Sequence, residues 1–290
     1  MIKNIAIIGG GGKMGSWFSK YFSNNMRIKQ LVYDINPQSI RSYSNVVLCE
    51  NITQCISSAD LVLLCVPVAQ TPSLITYCAS KMKSRSILAE ISSVKYRTFK
   101  ALKRVSKKVK PLCIHPMFGP GAPSISQMKI LLVPVKNKVT ELNILNSIFE
   151  GAKITILPDP HNHDEAIAIV LGLTYYMNLV FADTVSRENL LTLKNASGTT
   201  FAIQSLLSES ILTDQPDLIT SLLVENPMVK KHIEKYLRNA LAFSRLVFDR
   251  DDRKLKARFT AIKSHVQEQQ NLELAYKQMY QIIDQLKEVN

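Results

Sequence analysis

The sequence predicts an α/β chain: a doubly wound parallel sheet, then an all-helical second domain. Three observations carry this. Short β-branched runs alternate with helix-period segments over the first half. A glycine cluster, Gly9 to Gly15, follows the first of those runs directly. Beyond Pro158-Asp159-Pro160 the β-rich runs stop and helical periods continue to the end. A chain of 290 residues exceeds one typical domain. The expected division is therefore 1–158 for the sheet domain and 159–290 for the helical one.

The strand-like runs are Ile5–Ile8, Leu31–Asp34, Val46–Leu48, Leu61–Val66, Ile87–Ile91, Leu112–His115, Ile130–Val135 and Ile154–Leu157. Near-continuous apolar runs of this kind suit a parallel sheet covered on both faces. Between the first two, Trp17, Phe18, Tyr21 and Phe22 recur on one face of a helix. In the second half, Ala166–Ala182 is apolar all round apart from Thr174 and Asn178. It is marginal for a bilayer span of ~20 residues, so a buried core helix is expected rather than a membrane segment. A domain of about half the chain needs help to cover such a helix, and a second copy supplies it, which predicts a homodimer. Leu272, Tyr276, Met279, Tyr280, Ile283 and Leu286 form a last helical stripe, read as core or dimer contact.

Composition narrows the function class. The chain is 46% hydrophobic and 20% charged, as expected for a soluble globular protein. Its formal charge of +13 comes from 36 basic and 23 acidic residues. Lys81–Lys110 alone holds eleven Lys and Arg against the single Glu90. No nucleic-acid motif accompanies that stretch, so a solvated face is expected and the anion that matters is a small molecule. The five cysteines are odd in number and lack CxxC spacing, which reads as reduced thiols. MIKNIAIIGGGG begins a strand at once, without a basic and apolar leader, so a cytoplasmic location is expected.

Gly10-x-Gly12-x-x-Gly15 follows the first strand and opens an amphipathic helix, the context that makes this spacing a dinucleotide site of the Rossmann type. Gly10 permits the tight turn, Gly12 lets a pyrophosphate approach the backbone, and Gly15 allows close helix–strand packing. Lys13 and Met14 complete the loop, and the anion sits on the helix N-terminus. Asp34, ending the second strand, would bind ribose hydroxyls and repel a 2′-phosphate, favouring NAD over NADP. The alternative is an ordinary turn aspartate before Asn36-Pro37, and Arg41 leaves some room for NADP. Cys65-Val66-Pro67 would carry the chain past the cofactor at the end of the fourth strand. Ser92, Ser93 and Lys95 follow the fifth strand, and His115-Pro116 closes the sixth. All three ends aim at one crevice. A hydride leaving a carbon that also bears a hydroxyl requires a proton acceptor, and an imidazole such as His115 suits neutral pH.

GGGGKMG, LLCVPVAQT, ISSVK, IHPMFGP and HNHDEA, in that order over residues 1 to about 250, resemble the prephenate/arogenate dehydrogenase family of tyrosine biosynthesis. The resemblance implies NAD-dependent oxidative decarboxylation of prephenate to 4-hydroxyphenylpyruvate, and a helical C-terminal domain that forms the homodimer. It also implies catalytic roles for His115 and Ser93, with the Ser93 hydroxyl near the imidazole and the substrate hydroxyl. Lys95 would face substrate or cofactor anions, and His163-Asp164 would lie near the substrate cleft. His161, His163 and Asp164 are too few ligands for a metal, so none is expected. One departure stands out. The family usually carries two arginines eight residues apart in the segment equivalent to Ser197–Pro216, and those positions hold Ala202 and Ser210 here. Either another base (Arg187, Lys194, Lys230 or Arg238) substitutes, or a paralogue acts on a different cyclic or hydroxy acid. A non-catalytic dinucleotide-binding protein is the third reading.

Overall fold

The computed structural model describes residues 2–287, with side chains to residue 285. Each expected run becomes a strand of one sheet: β1 (Asn4–Ile8), β2 (Lys29–Tyr33), β3 (Val46–Leu48), β4 (Leu61–Leu64), β5 (Ile87–Glu90), β6 (Lys110–Pro116), β7 (Lys129–Leu132) and β8 (Lys153–Ile156). The spatial order is β3-β2-β1-β4-β5-β6-β7-β8. The order reverses between β1 and β4, which makes their carboxyl ends the switch point where such sheets bind ligands.

Successive residues of the central strands feed different cores. Ile5, Ile7, Leu61 and Leu63 join one buried cluster, whereas Ala6, Ile8, Val62 and Leu64 join another. This two-sided burial is why the strands read as continuous apolar runs. On the first face, α1 (Lys13–Ser23) buries Trp17, Phe18 and Phe22 beside α5 (Lys138–Ile148) and Phe149. On the second lie α2 (Ile52–Ser57), α3 (Thr71–Lys81) and α4 (Tyr96–Arg104).

The sheet is parallel as expected except at one pair, β6–β7. β7 runs antiparallel to β6, pairing Leu131 with His115, and β8 then runs parallel to β7. The cause is the connection. Residues 117–128 contain no helix, and a strand re-entering from the same edge without a crossover must pair antiparallel.

The chain divides into two units, and the boundary differs from residue 158. The first unit runs to Ile167 and also includes Thr220–Pro227; the second holds Ala168–Ile219 and the residues from Met228 onward. The reason is local: α6 (Pro160–Ile167) buries His163, Asp164 and Ile167, so its two turns belong with the sheet. Asn226 Nδ2 donates to the Asp164 carbonyl at 2.9 Å, tying the later segment to the same unit.

The second unit is helical. Ala168–Leu173 is a π-helical stretch, followed by α7 (Thr174–Val185), α8 (Leu190–Asn195), α9 (Thr199–Ile211), α10 (Pro216–Thr220), α11 (Val229–Phe248), α12 (Asp252–Gln267) and α13 (Leu272–Lys287). Asn178 Oδ1 accepts from Gln204 Nε2 and Ser208 Oγ, both at 2.9 Å, across α7 and α9. The expected core helix is not buried within the chain: Ile169, Val170, Met177 and Val180 are 46%, 53%, 40% and 45% exposed. Among the described residues Pro160–Val185 is the one helix long and apolar enough to cross a membrane. The last stripe is likewise open at Tyr276 and Tyr280, and Leu286 lies outside the described side chains.

Candidate active site

The glycine loop leaves β1 at the switch point. Gly9 and Gly10 N–H both donate to the Tyr33 carbonyl, locking the loop to the end of β2. The left-handed turn falls on Gly9, at φ +84°, one residue before the position the spacing assigns to it. A Cβ on Gly9 would strike the Cys65 carbonyl, one on Gly10 would strike Val32, and one on Gly15 would strike the Gly9 carbonyl. A Cβ on Gly12 would make only ordinary contacts, with the Gly9 carbonyl at 3.4 Å and the Cys65 carbonyl at 4.0 Å. Three glycines therefore serve packing and turn, while Gly12 keeps the helix start open for a close ligand, as a pyrophosphate requires.

Asp34 Oδ2 accepts the Gly11 N–H and Oδ1 the Asn36 N–H, both at 2.9 Å, so the carboxylate is held against the loop. A cavity of about 800 Å³ opens beside Gly11, Lys13, Ser39 and Arg41. Lys13 is exposed and Met14 half-buried against the first core, so Met14 contributes packing rather than a side-chain contact. At the end of β4, Val66 is half-buried and Pro67 exposed. These residues fit a dinucleotide: a bare helix start, a backbone cradle, and a carboxylate where ribose hydroxyls lie.

β1, β4, β5 and β6 run parallel, so their ends share that edge. His115 sits there, 5% exposed, and its hydrogen-bond partner is His163: Nδ1 of His115 lies 3.1 Å from Nε2 of His163. His163 Nδ1 in turn lies 2.8 Å from Asp164 Oδ1. Asp164 accepts the backbone N–H of Lys95 at 2.8 Å and of Tyr96 at 3.0 Å, capping α4 from 69 residues away in sequence. Burial, the neighbouring His163 and the Lys95 ammonium hold His115 well below the usual 6.5. Burial and then Lys95 take His163 down to about 2, so its contact with Asp164 is a hydrogen bond from a neutral ring. Burial raises Asp164, against the pull of its two backbone donors.

Two expected roles change. Lys95 does not face an anionic ligand. Its side chain is fully buried, with Nζ 2.6 Å from Glu90 Oε1 and 2.5 Å from the Ile114 carbonyl. Ser92 is buried and donates its hydroxyl to Thr71 Oγ1 at 3.2 Å, so it braces α3 rather than lining an open cofactor face. Ser93 is half-exposed in the same loop, and the side chain hydrogen-bonded to His115 Nδ1 is His163. Glu90, Thr71 and Asn226 are structural members of the site that sequence reasoning missed. Glu90 left a signal: one acid inside Ile87-Leu-Ala-Glu-Ile91, an otherwise apolar strand.

In the second unit, Ala202 and Ser210 both fall on α9. Lys194 Nζ, from α8, stands 2.8 Å from Glu209 Oε1 on that helix, and Lys230 lies 3.9 Å from Glu234. Among the described residues, no group of three or more His, Cys, Asp or Glu converges as metal ligands do.

Comparison with known proteins gives the family. A model for the nucleotide-binding domain of prephenate dehydrogenase matches residues 22–171, and one for its dimerization domain matches 159–261. The first match starts beyond the glycine loop. A probable arogenate/prephenate dehydrogenase of Methanocaldococcus jannaschii is 28% identical over 259 residues, covering 85% of this chain and 57% of that protein. The chain spans 57–64% of the length of the curated relatives it matches. Among solved structures, prephenate dehydrogenase from A. aeolicus in complex with hydroxyphenyl propionate and NAD+ has a TM-score of 0.71 at 20% identity, over 92% of this chain and 98% of that one. Synechocystis arogenate dehydrogenase has a TM-score of 0.64 at 16% identity, over 91% and 99%. At such identities these likenesses establish the fold. With the two family models together spanning residues 22–261, this chain belongs to the prephenate dehydrogenase family.

Proposed function

We propose that the chain is an NAD-dependent dehydrogenase that oxidises and decarboxylates prephenate or arogenate, with His115 as proton acceptor. The observation that carries this reading is a neutral, nearly buried imidazole at the end of β6, on the sheet edge where β1 delivers the glycine loop. In the loop that Gly10 and Gly15 let pack closely, the backbone at Gly12 and Lys13 would hold the pyrophosphate, Asp34 the ribose hydroxyls, and Val66 and Pro67 would pass beside the dinucleotide. Bound there, NAD supplies the hydride acceptor.

His115 Nε2 takes the hydroxyl proton while the carbinol C–H bond breaks with both its electrons. The oxygen gains carbonyl character as the proton moves. When CO2 leaves the opposite ring carbon, its electron pair aromatises the ring, and His115 returns the proton to the phenol oxygen. Atoms and charge balance without a further reactant. Ser93, half-exposed in the loop after β5, would by the family resemblance hold the hydroxyl in line.

The missing arginines bear on substrate. A ring or side-chain carboxylate without a cation loses a charge-assisted contact of ~1.5–3 kcal/mol. Of the four candidate bases, Lys194 is paired with Glu209 at 2.8 Å and Lys230 lies 3.9 Å from Glu234. A homodimer is supported by the exposed apolar side chains of Ala168–Val185 and by the match to a dimerization-domain model. The five free cysteines support a reducing, cytoplasmic setting.

The test is direct. The purified chain is supplied with NAD and prephenate, then with NAD and arogenate, and reduced nicotinamide and CO2 are measured together. Equal amounts of both products from either substrate support the reading. Failure with both overturns it in favour of another hydroxy acid or a binding role.

A further inference from the structure

We infer that His163 and Asp164 are positioning residues that fix the tautomer of His115, keeping its proton on Nδ1 and leaving the Nε2 lone pair as the acceptor. This rests on the reading of His115 as the proton acceptor, and it assigns a task to a pair whose hydrogen bonds lie wholly within the first unit.

The assignment follows from counting donors. The Asp164 carboxylate already accepts two backbone N–H groups, from Lys95 and Tyr96, and these cannot reorient because they begin α4. Oδ1 also faces His163 Nδ1 at 2.8 Å. A carboxylate accepts and does not donate, so Nδ1 of His163 carries the hydrogen. A neutral imidazole then has its lone pair on Nε2, the atom 3.1 Å from His115 Nδ1. That contact needs a donor, so His115 Nδ1 carries a hydrogen, and its Nε2 is left as the basic nitrogen.

The reverse arrangement would set the lone pair of His163 Nδ1 against Oδ1 and would leave buried groups unsatisfied. The anion also lies at the N-terminus of α4, where the helix dipole favours it. Asn226 fixes the backbone of Asp164 from the later segment, and Lys95 holds the Ile114 carbonyl next to His115. Both ends of the chain of hydrogen bonds are therefore anchored.

The experiment labels histidine with nitrogen-15 in the full chain and reads the ring nitrogens by two-bond proton–nitrogen correlation near neutral pH. The wild type should show His115 neutral with hydrogen on Nδ1. His163→Gln keeps an acceptor near the Nε2 position, so it should retain that tautomer and most of kcat. His163→Phe removes the acceptor; His115 should shift toward the Nε2–H form, and kcat should fall roughly ten- to hundredfold, the scale of one unsatisfied buried partner. NAD affinity should not change in either variant. A wild-type His115 carrying its hydrogen on Nε2, or an unchanged tautomer in His163→Phe, would overturn the inference. If His163→Phe does not fold, the wild-type and His163→Gln spectra decide it. If neither substrate is turned over, the functional reading fails, while the spectra still report the tautomer.

Discussion

Lys95 Nζ lies 2.6 Å from Glu90 Oε1, and both side chains are completely buried. The lysine comes from the loop that carries Ser92 and Ser93, and the glutamate ends β5. Cys113 Sγ on β6 donates to the same carboxylate oxygen at 3.0 Å, and Ser92 N–H donates to the other at 3.0 Å. One ion pair thus fastens the ends of two strands beneath His115.

Breaking it should cost far more than removing it. Lys95→Met leaves a buried carboxylate unpaired, which typically costs ~3–5 kcal/mol. Adding Glu90→Gln should restore a large part of that loss, since a buried pair replaced as a unit is often nearly neutral. Urea unfolding of the two single variants and the double variant measures this. Equal losses in Lys95→Met and in the double variant would show that the pair carries no coupling.

The legible and illegible parts of this molecule separate along physical lines. Strands covered on both faces announce themselves as apolar runs, and each of the expected runs is found. The direction of β7 was hidden because it depends on a connection without a helix, not on the strand's own residues. The glycine spacing located the cradle but missed Gly9, whose positive φ lies outside the motif. Lys95 read as a free cation because its partner, five residues earlier, looked like one acid in a basic stretch. Asp164 was legible through the family resemblance as a residue near the substrate cleft; its service to α4 is a tertiary contact that no local pattern encodes. The apolar run in the second unit was legible as a helix, but its burial was not, since the chain alone does not cover it.

Cofactor preference should follow Asp34. Its carboxylate is oriented by Gly11 and Asn36, and it would meet a 2′-phosphate as a like charge. Calorimetry should show tighter binding of NAD than NADP, and Asp34→Ser should narrow the gap. With Ser39 and Arg41 lining the adjoining cavity, the gain should appear on the NADP side. Tighter NADP binding by the wild type would refute the role of Asp34.

Assembly should depend on the exposed apolar residues of the second unit. Sedimentation at micromolar concentration should give a dimer, and Val170→Asp with Met177→Asp should shift it toward monomer. A monomeric wild type would count against the homodimer.

Stability should fall with acid in a window set by two histidines. Both His115 and His163 have pKa values depressed below the ordinary 6.5, the latter to about 2. Above 6.5 folded and unfolded chains are both neutral at these rings, and the full stability is present. Below it only the unfolded chain takes up the protons, so stability is lost as pH falls. At about one unit below 6.5 the loss should be ~1.4 kcal/mol per histidine. Denaturant melts at about pH 7.5 and about pH 5.5 measure it, and His163→Gln should lose less than the wild type. Equal losses would show that His163 is not neutral in the fold.

The account turns most directly on His115→Asn. Asparagine keeps a polar side chain of similar reach but cannot take a proton, and loss of a general base typically costs ~10²–10⁴ in rate. The steady-state comparison across pH, with prephenate or arogenate, should show near-normal NAD affinity and KM. Its kcat should be lower by at least about a hundredfold. The acidic limb of kcat/KM, lying below 6.5 in the wild type because burial, His163 and Lys95 depress the imidazole, should vanish. A variant that keeps most of its turnover and the same acidic limb would contradict the account and leave His115 a structural residue at the end of β6.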